Sequence, residues 1–110
     1  MGWSAMVIVE TRVFTRRIGE LLNDEAYRAL QLHLLEHPSA GSVIPDGGGL
    51  RKLRWGGFGR GKRGGIRILY YWHSATDRVL MLFAFAKNER ADLTPQQKRT
   101  LRRLIEAKYP

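Results

Sequence analysis

Apolar and polar positions alternate or recur along most of this chain, and their period changes several times. Residues 6–14, MVIVETRVF, are β-branched and apolar and then alternate, which predicts a first strand. Residues 15–22 form a short ambiguous stretch, with Ile18, Leu21 and Leu22 at helical spacing. Asn23-Asp24-Glu25 starts a helix, with acids in its first turn to oppose the dipole. Tyr27, Leu30 and Leu34 follow on one face of it, and Pro38 ends it. PSAGSVIPDGGG, residues 38–49, reads as a loop without regular structure because of its Gly and Pro content.

Three strands are predicted next, over residues 50–55, 66–73 and 79–87. In the first, Leu53 and Trp55 share one face while Lys52 and Arg54 share the other. Residues 74–78 make a short turn, so the last two strands form an antiparallel hairpin. A final helix begins at Thr94, a capping residue followed by Pro95 at the first helical position and Gln97 to complete a T-x-x-Q capping box. Leu101, Leu104 and Ile105 give it an apolar stripe, with Lys98, Arg99, Arg102 and Arg103 elsewhere on its surface. The order β, α, α, β, β, β, α predicts an α+β fold: a small antiparallel (mixed) sheet of about four strands, N-terminal helices on one face and a C-terminal helix.

The chain's 110 residues suit a single domain, residues 1–110, with one modest core. Without cysteine it has neither a disulfide framework nor a zinc–thiolate site, which is compatible with a reducing cytoplasm. The N-terminus lacks the charged start and long apolar centre of a signal peptide, and no apolar run approaches the roughly 20 residues that cross a bilayer. Charge changes the picture more. The net charge is +9, and it is unevenly spread. Residues 1–50 hold four bases and six acids, for −2. Residues 51–86 hold eight bases and only Asp77, for +7, and residues 87–110 hold seven bases and three acids, for +4. A block so one-sided is the footprint of a polyanion-binding surface.

The centre of that block is WGGFGRGKRGG, residues 55–65. Two nucleotide-binding patterns overlay it, G-x-x-x-x-G-K from Gly56 and G-x-G-x-x-G from Gly59. Both fail. Arg63 stands where the first needs Ser or Thr for magnesium, and Gly65 leads into a strand rather than the helix whose N-terminus would hold the phosphate. With nine glycines between Gly47 and Gly65, chance matches are expected. What remains is a hairpin tip carrying Arg60, Lys62 and Arg63, between a strand bearing Lys52 and Arg54 and one bearing Arg67. Bases interleaved with aromatics suit single-stranded nucleic acid. Trp55, Tyr70 and Trp72 fall on apolar strand faces, which leaves Phe58 and Tyr71 for stacking. His33 and His37 read as helix-surface residues with no third ligand, and His73 ends its strand on the face of Arg67 and Tyr71.

GGGLRKLRW, GKRGGIRILYYW and FAKNERADLT, in this order and spacing, resemble the RelE/HigB toxin family of bacterial toxin–antitoxin systems, most closely its HigB-2-like branch. The resemblance implies the RelE-like fold and a ribosome-dependent endoribonuclease. Such enzymes cut messenger RNA in the ribosomal A site by attack of the substrate's 2′-hydroxyl on the adjacent phosphate. It implies no metal and no cofactor. The implied partners are messenger RNA, the ribosome with its RNA, and a cognate HigA-like helix-turn-helix antitoxin through which alone operator DNA is engaged; no membrane is involved. Lys52, Arg54, Arg67 and Lys87 match the family's catalytic cations, with Arg67 on the scissile phosphate. Arg51, Arg60, Lys62, Arg63 and Tyr71 are the expected RNA contacts. A lysine crowded by cations gives up its proton more readily, so Lys52 and Lys87 are both candidates for general base. The chain departs from founding members in lacking their tyrosine beyond the last strand, where it reads NERADLTPQQ. Glu89 there is either a base or the partner of a neighbouring cation, and the pairing is expected. A basic RNA- or DNA-binding module without catalysis is the other class the charge pattern allows.

Overall fold

The computed structural model describes residues 6–56, 65–90 and 92–110. Its elements are β1 (Val7–Glu10), α1 (Arg12–Leu21), α2 (Asp24–Glu36), β2 (Ser42–Val43), β3 (Arg51–Trp55), β4 (Ile66–His73), β5 (Arg78–Ala86) and α3 (Pro95–Lys108), with one turn of 3-10 helix at Ser74–Thr76. The strands form a single mixed sheet in the order β1-β5-β4-β3-β2. β1 runs parallel to β5, and every other pairing is antiparallel.

The fold class expected from the sequence is the one observed, with two local differences. First, β1 stops at Glu10, and the expected strand over 6–14 gives way to a helix. Thr11 is the reason. Its backbone is extended, its Oγ1 accepts the Phe14 N–H at 3.1 Å, and its hydroxyl donates to the Leu82 carbonyl at 2.9 Å. Capped there, Phe14 and Ile18 fall one helical turn apart and are both buried. Second, the loop over 38–49 contains a two-residue strand, β2, because Ser42 and Val43 meet Lys52 and Arg51 along the edge of β3. The sheet therefore has five strands rather than about four.

Each face of the sheet carries its own core. On one, Phe14, Ile18, Leu30 and Leu34 of α1 and α2 pack on Leu53, Ile68, Tyr70 and Met81. On the other, Leu101 and Ile105 of α3 pack with Leu50, Leu69, Leu80, Leu82 and Phe85. The capping box of α3 forms as the sequence predicts, with Thr94 and Gln97 each bonded to the other's backbone N–H. β5 contains a bulge: Leu69 pairs with Phe83 and Tyr70 with Met81, which leaves Leu82 as the extra residue. That residue's carbonyl is the one Thr11 holds.

Candidate nucleic-acid interface

Strand alternation separates β3 as expected. Leu53 and Trp55 face α1 and α2, while Lys52 and Arg54 face the side that α3 covers only in part. Register then aligns two rows across the sheet. Lys52 stands opposite Leu69, and Leu69 opposite Phe83. Arg54 stands opposite Arg67, and Arg67 opposite Phe85.

The second row is the unusual one. Neighbouring strands lie about 4.8 Å apart, and like charges directly opposite one another are destabilising. Arg54 is exposed, but Arg67 retains only 6% of its accessible surface. An anion bound between the two guanidiniums would be attracted by both. Arg67 also bonds the Ile66 carbonyl weakly, at 3.4 Å. Its burial means that truncating it removes packing as well as charge.

Lys52 reaches Asp92, with Nζ 3.3 Å from Oδ1. The Leu93 N–H, and next to it Lys52, hold the Asp92 carboxyl below the usual carboxylate range. Lys52 lines two grooves on the open edge of the sheet. One, of about 400 Å³, runs between β2 and the start of α3, past Val43, Ile44, Asp92, Pro95 and Lys98. The other, of about 360 Å³, lies between Ala40, Ser42 and Arg54.

Lys87 follows directly on β5 and is exposed. Glu89 organises the turn beyond it. Its carboxylate accepts the Ala86 N–H at 2.8 Å and forms an ion pair with Arg17 of α1, which also bonds the Ala84 carbonyl at 3.2 Å. Those contacts, the Ala86 N–H foremost, hold its carboxyl below its ordinary value. Glu89 is thus the paired group the sequence led one to expect. The turn directs Arg90 over the rings of Phe83 and Phe85, 5.7 Å and 5.8 Å from their centroids.

Lys52, Arg54 and Arg67 therefore share one sheet face. Two other expected contacts do not join them. Arg51 points to the opposite face and bonds the carbonyls of Gly41 (2.8 Å) and Ser39 (3.2 Å), a structural task that tethers the segment before β2. Tyr71 shares the face but stands four residues along β4 from Arg67, roughly 13 Å away, in an aromatic cluster with His73 and Tyr109. Arg60, Lys62, Arg63 and Phe58 lie outside the described residues. His33 packs on Trp55 and His37, with ring centroids 5.1 Å and 5.2 Å away, rather than standing clear on the surface. Among the described residues, no cluster of three or more His, Asp or Glu is placed to hold a metal.

The sequence reading missed Phe83, Arg90 and Asp92. Strict alternation from Val79 puts Phe83 on the α1–α2 face; the bulge at Leu82 moves it to the other. Arg90 and Asp92 follow the last strand with no periodicity to place them.

A buried arginine aligned with an exposed one, flanked by a lysine groove and an aromatic pair, gives this sheet face a concentration of positive charge. The chain belongs to the RelE toxin family: its residues 7–109 match the family described as the RelE toxin of the RelE/RelB toxin–antitoxin system. Among solved structures it is similar to a chain of the intact E. coli RelBE toxin–antitoxin complex, with a TM-score of 0.55 and 15% identity. That match covers 74% of this chain and 96% of the other, and at this identity it speaks for the fold.

Proposed function

We propose that the protein is a toxin that cuts messenger RNA on the ribosome, in the HigB-like branch of its family. The aligned Arg54–Arg67 pair carries this reading, because two cations side by side on neighbouring strands suit a single bridging phosphate. In the reaction, the substrate's 2′-hydroxyl loses its proton and attacks the adjacent phosphorus. The bond to the 5′-oxygen of the next nucleotide breaks, leaving a 2′,3′-cyclic phosphate and a 5′-hydroxyl end once the leaving oxygen is protonated. Arg54 and Arg67 stabilise the charge that builds on the phosphate oxygens. Lys52 and Lys87 flank the row and remain the two candidates for moving the proton. Lys52 first has to exchange Asp92 for the phosphate.

Membership of the family supports a cognate antitoxin as partner, here a HigA-like helix-turn-helix protein that links the toxin to operator DNA. Messenger RNA and the ribosomal A site are the other partners, met in the cytoplasm where translation occurs. Among the described residues no helix is long and apolar enough to cross a membrane.

Induced expression is expected to arrest growth and to leave new ends within translated messages, mapped by sequencing. Arg54→Ala, at an exposed position, is expected to lower single-turnover cleavage on programmed ribosomes by about 10²- to 10³-fold with its melting temperature unchanged. Intact messages in arrested cells would instead indicate a binding module that blocks translation without cutting.

A further inference from the structure

Beside the cation row lies a groove of about 260 Å³ between β5 and the first turns of α3, lined by Phe83, Thr94, Gln96, Gln97, Thr100 and Leu101. Its floor is an aromatic ring and a leucine; its walls are carboxamides and hydroxyls. A nucleobase has the complementary form, with flat apolar faces and an edge of donors and acceptors. The polar groups are unequally committed. Gln97 Oε1 accepts the Thr94 N–H at 2.9 Å, Thr94 Oγ1 accepts the Gln97 N–H at 3.1 Å, and the Thr100 hydroxyl donates to the Gln96 carbonyl at 3.0 Å. These bonds fix the wall, and the Gln96 and Gln97 side chains are part of its lining. Arg90 does not close the groove. It straddles Phe83 and Phe85 at nearly equal distances, 5.7 Å and 5.8 Å, and is not among the groove's lining residues.

We propose that this groove is a nucleobase subsite: one base of the bound RNA stacks on Phe83 while the Gln96 carboxamide reads its edge. Phe83 is two residues from Phe85 on the same face, roughly 7 Å along the strand, and Phe85 is the cross-strand neighbour of Arg67. A base on Phe83 therefore belongs to a nucleotide adjoining the phosphate held by Arg54 and Arg67. Arg90 supplies charge beside that nucleotide. The larger groove at Lys52 has no aromatic floor and offers Lys98 and Asp92 instead, so it suits backbone rather than base. The subsite rests on the RNA-cleaving reading for its substrate, and it gives this chain an aromatic contact where the family's tyrosine is missing.

Two measurements separate the subsite from that reading. In the first, a short single-stranded RNA containing 2-aminopurine is titrated with the purified protein at low salt. Stacking quenches the probe. Phe83→Leu is expected to weaken binding roughly 10- to 100-fold and abolish the quench, and Phe83→Tyr to restore both. In the second, cuts in translated messages are mapped for Gln96→Ala, which is expected to cut at a wider choice of bases. Equal quenching by wild type and Phe83→Leu overturns the subsite whatever the cleavage result. So does a Gln96→Ala cut map identical to that of a wild type that cuts. A Phe83-dependent quench from a wild type that leaves messages intact supports the subsite and removes the nuclease.

Discussion

At Gly65 the backbone φ is +59°, and an added Cβ would sit 2.1 Å from the Trp55 carbonyl oxygen. Any side chain is excluded there twice, by conformation and by collision. Gly65→Ala is expected to cost about 1–3 kcal/mol or more, read as a lower urea midpoint, and to disturb Arg67 two residues on. Glu89 gives a pH prediction. Its folded pKa is lowered, so its stabilising contribution is fully present above its unfolded value, 4.5, and is lost as pH falls through the lower folded one. Glu89→Gln should therefore flatten the acid limb of stability below about pH 5, and a limb as steep as the wild type's would refute the link. Placement was legible at this scale where side chains obey simple alternation: Lys52 and Arg54 share the face read for them. Arg51 was not legible, because its role depends on two carbonyls ten or more residues away.

Element boundaries depend on partners that no local window contains. The T-x-x-Q box of α3 was readable because both halves of the cap lie within four residues. The end of β1 was not, because Thr11 is held by Leu82, 71 positions further on. β2 was missed for a related reason: two residues become a strand only when β3 offers an edge. Thr11 also connects this boundary to the base groove, since the carbonyl it holds belongs to the bulge residue that turns Phe83 toward α3. Thr11→Val removes a cap and that bond together. A loss of about 1–2 kcal/mol is expected, seen as a lower melting temperature, and the 2-aminopurine quench should weaken with it. A variant that melts earlier yet quenches fully would show that the bulge forms without Thr11.

Over the whole molecule, the helices α1 and α2 close one sheet face, and α3 leaves part of the other open to carry the cations. The net charge of +9 makes association with any nucleic acid a counterion-release process, so on the proposed reading the logarithm of affinity for RNA should fall linearly with that of salt concentration. Arg54→Ala should reduce the slope by about one, measured by binding to ribosomes over a salt series; an unchanged slope would take Arg54 off the phosphate. The outermost strand has a consequence in time. β1 has no partner until β5 exists, and α1 is anchored through Arg17 to Ala84 and Glu89. Synthesis proceeds from the N-terminus, so Lys52, Arg54 and Arg67 are made before the strand that carries Phe83 and Phe85. Until the last third of the chain has emerged, its cations have no platform and its first strand has nowhere to dock. The face is thus completed only by β5, which is made after every cation of the row.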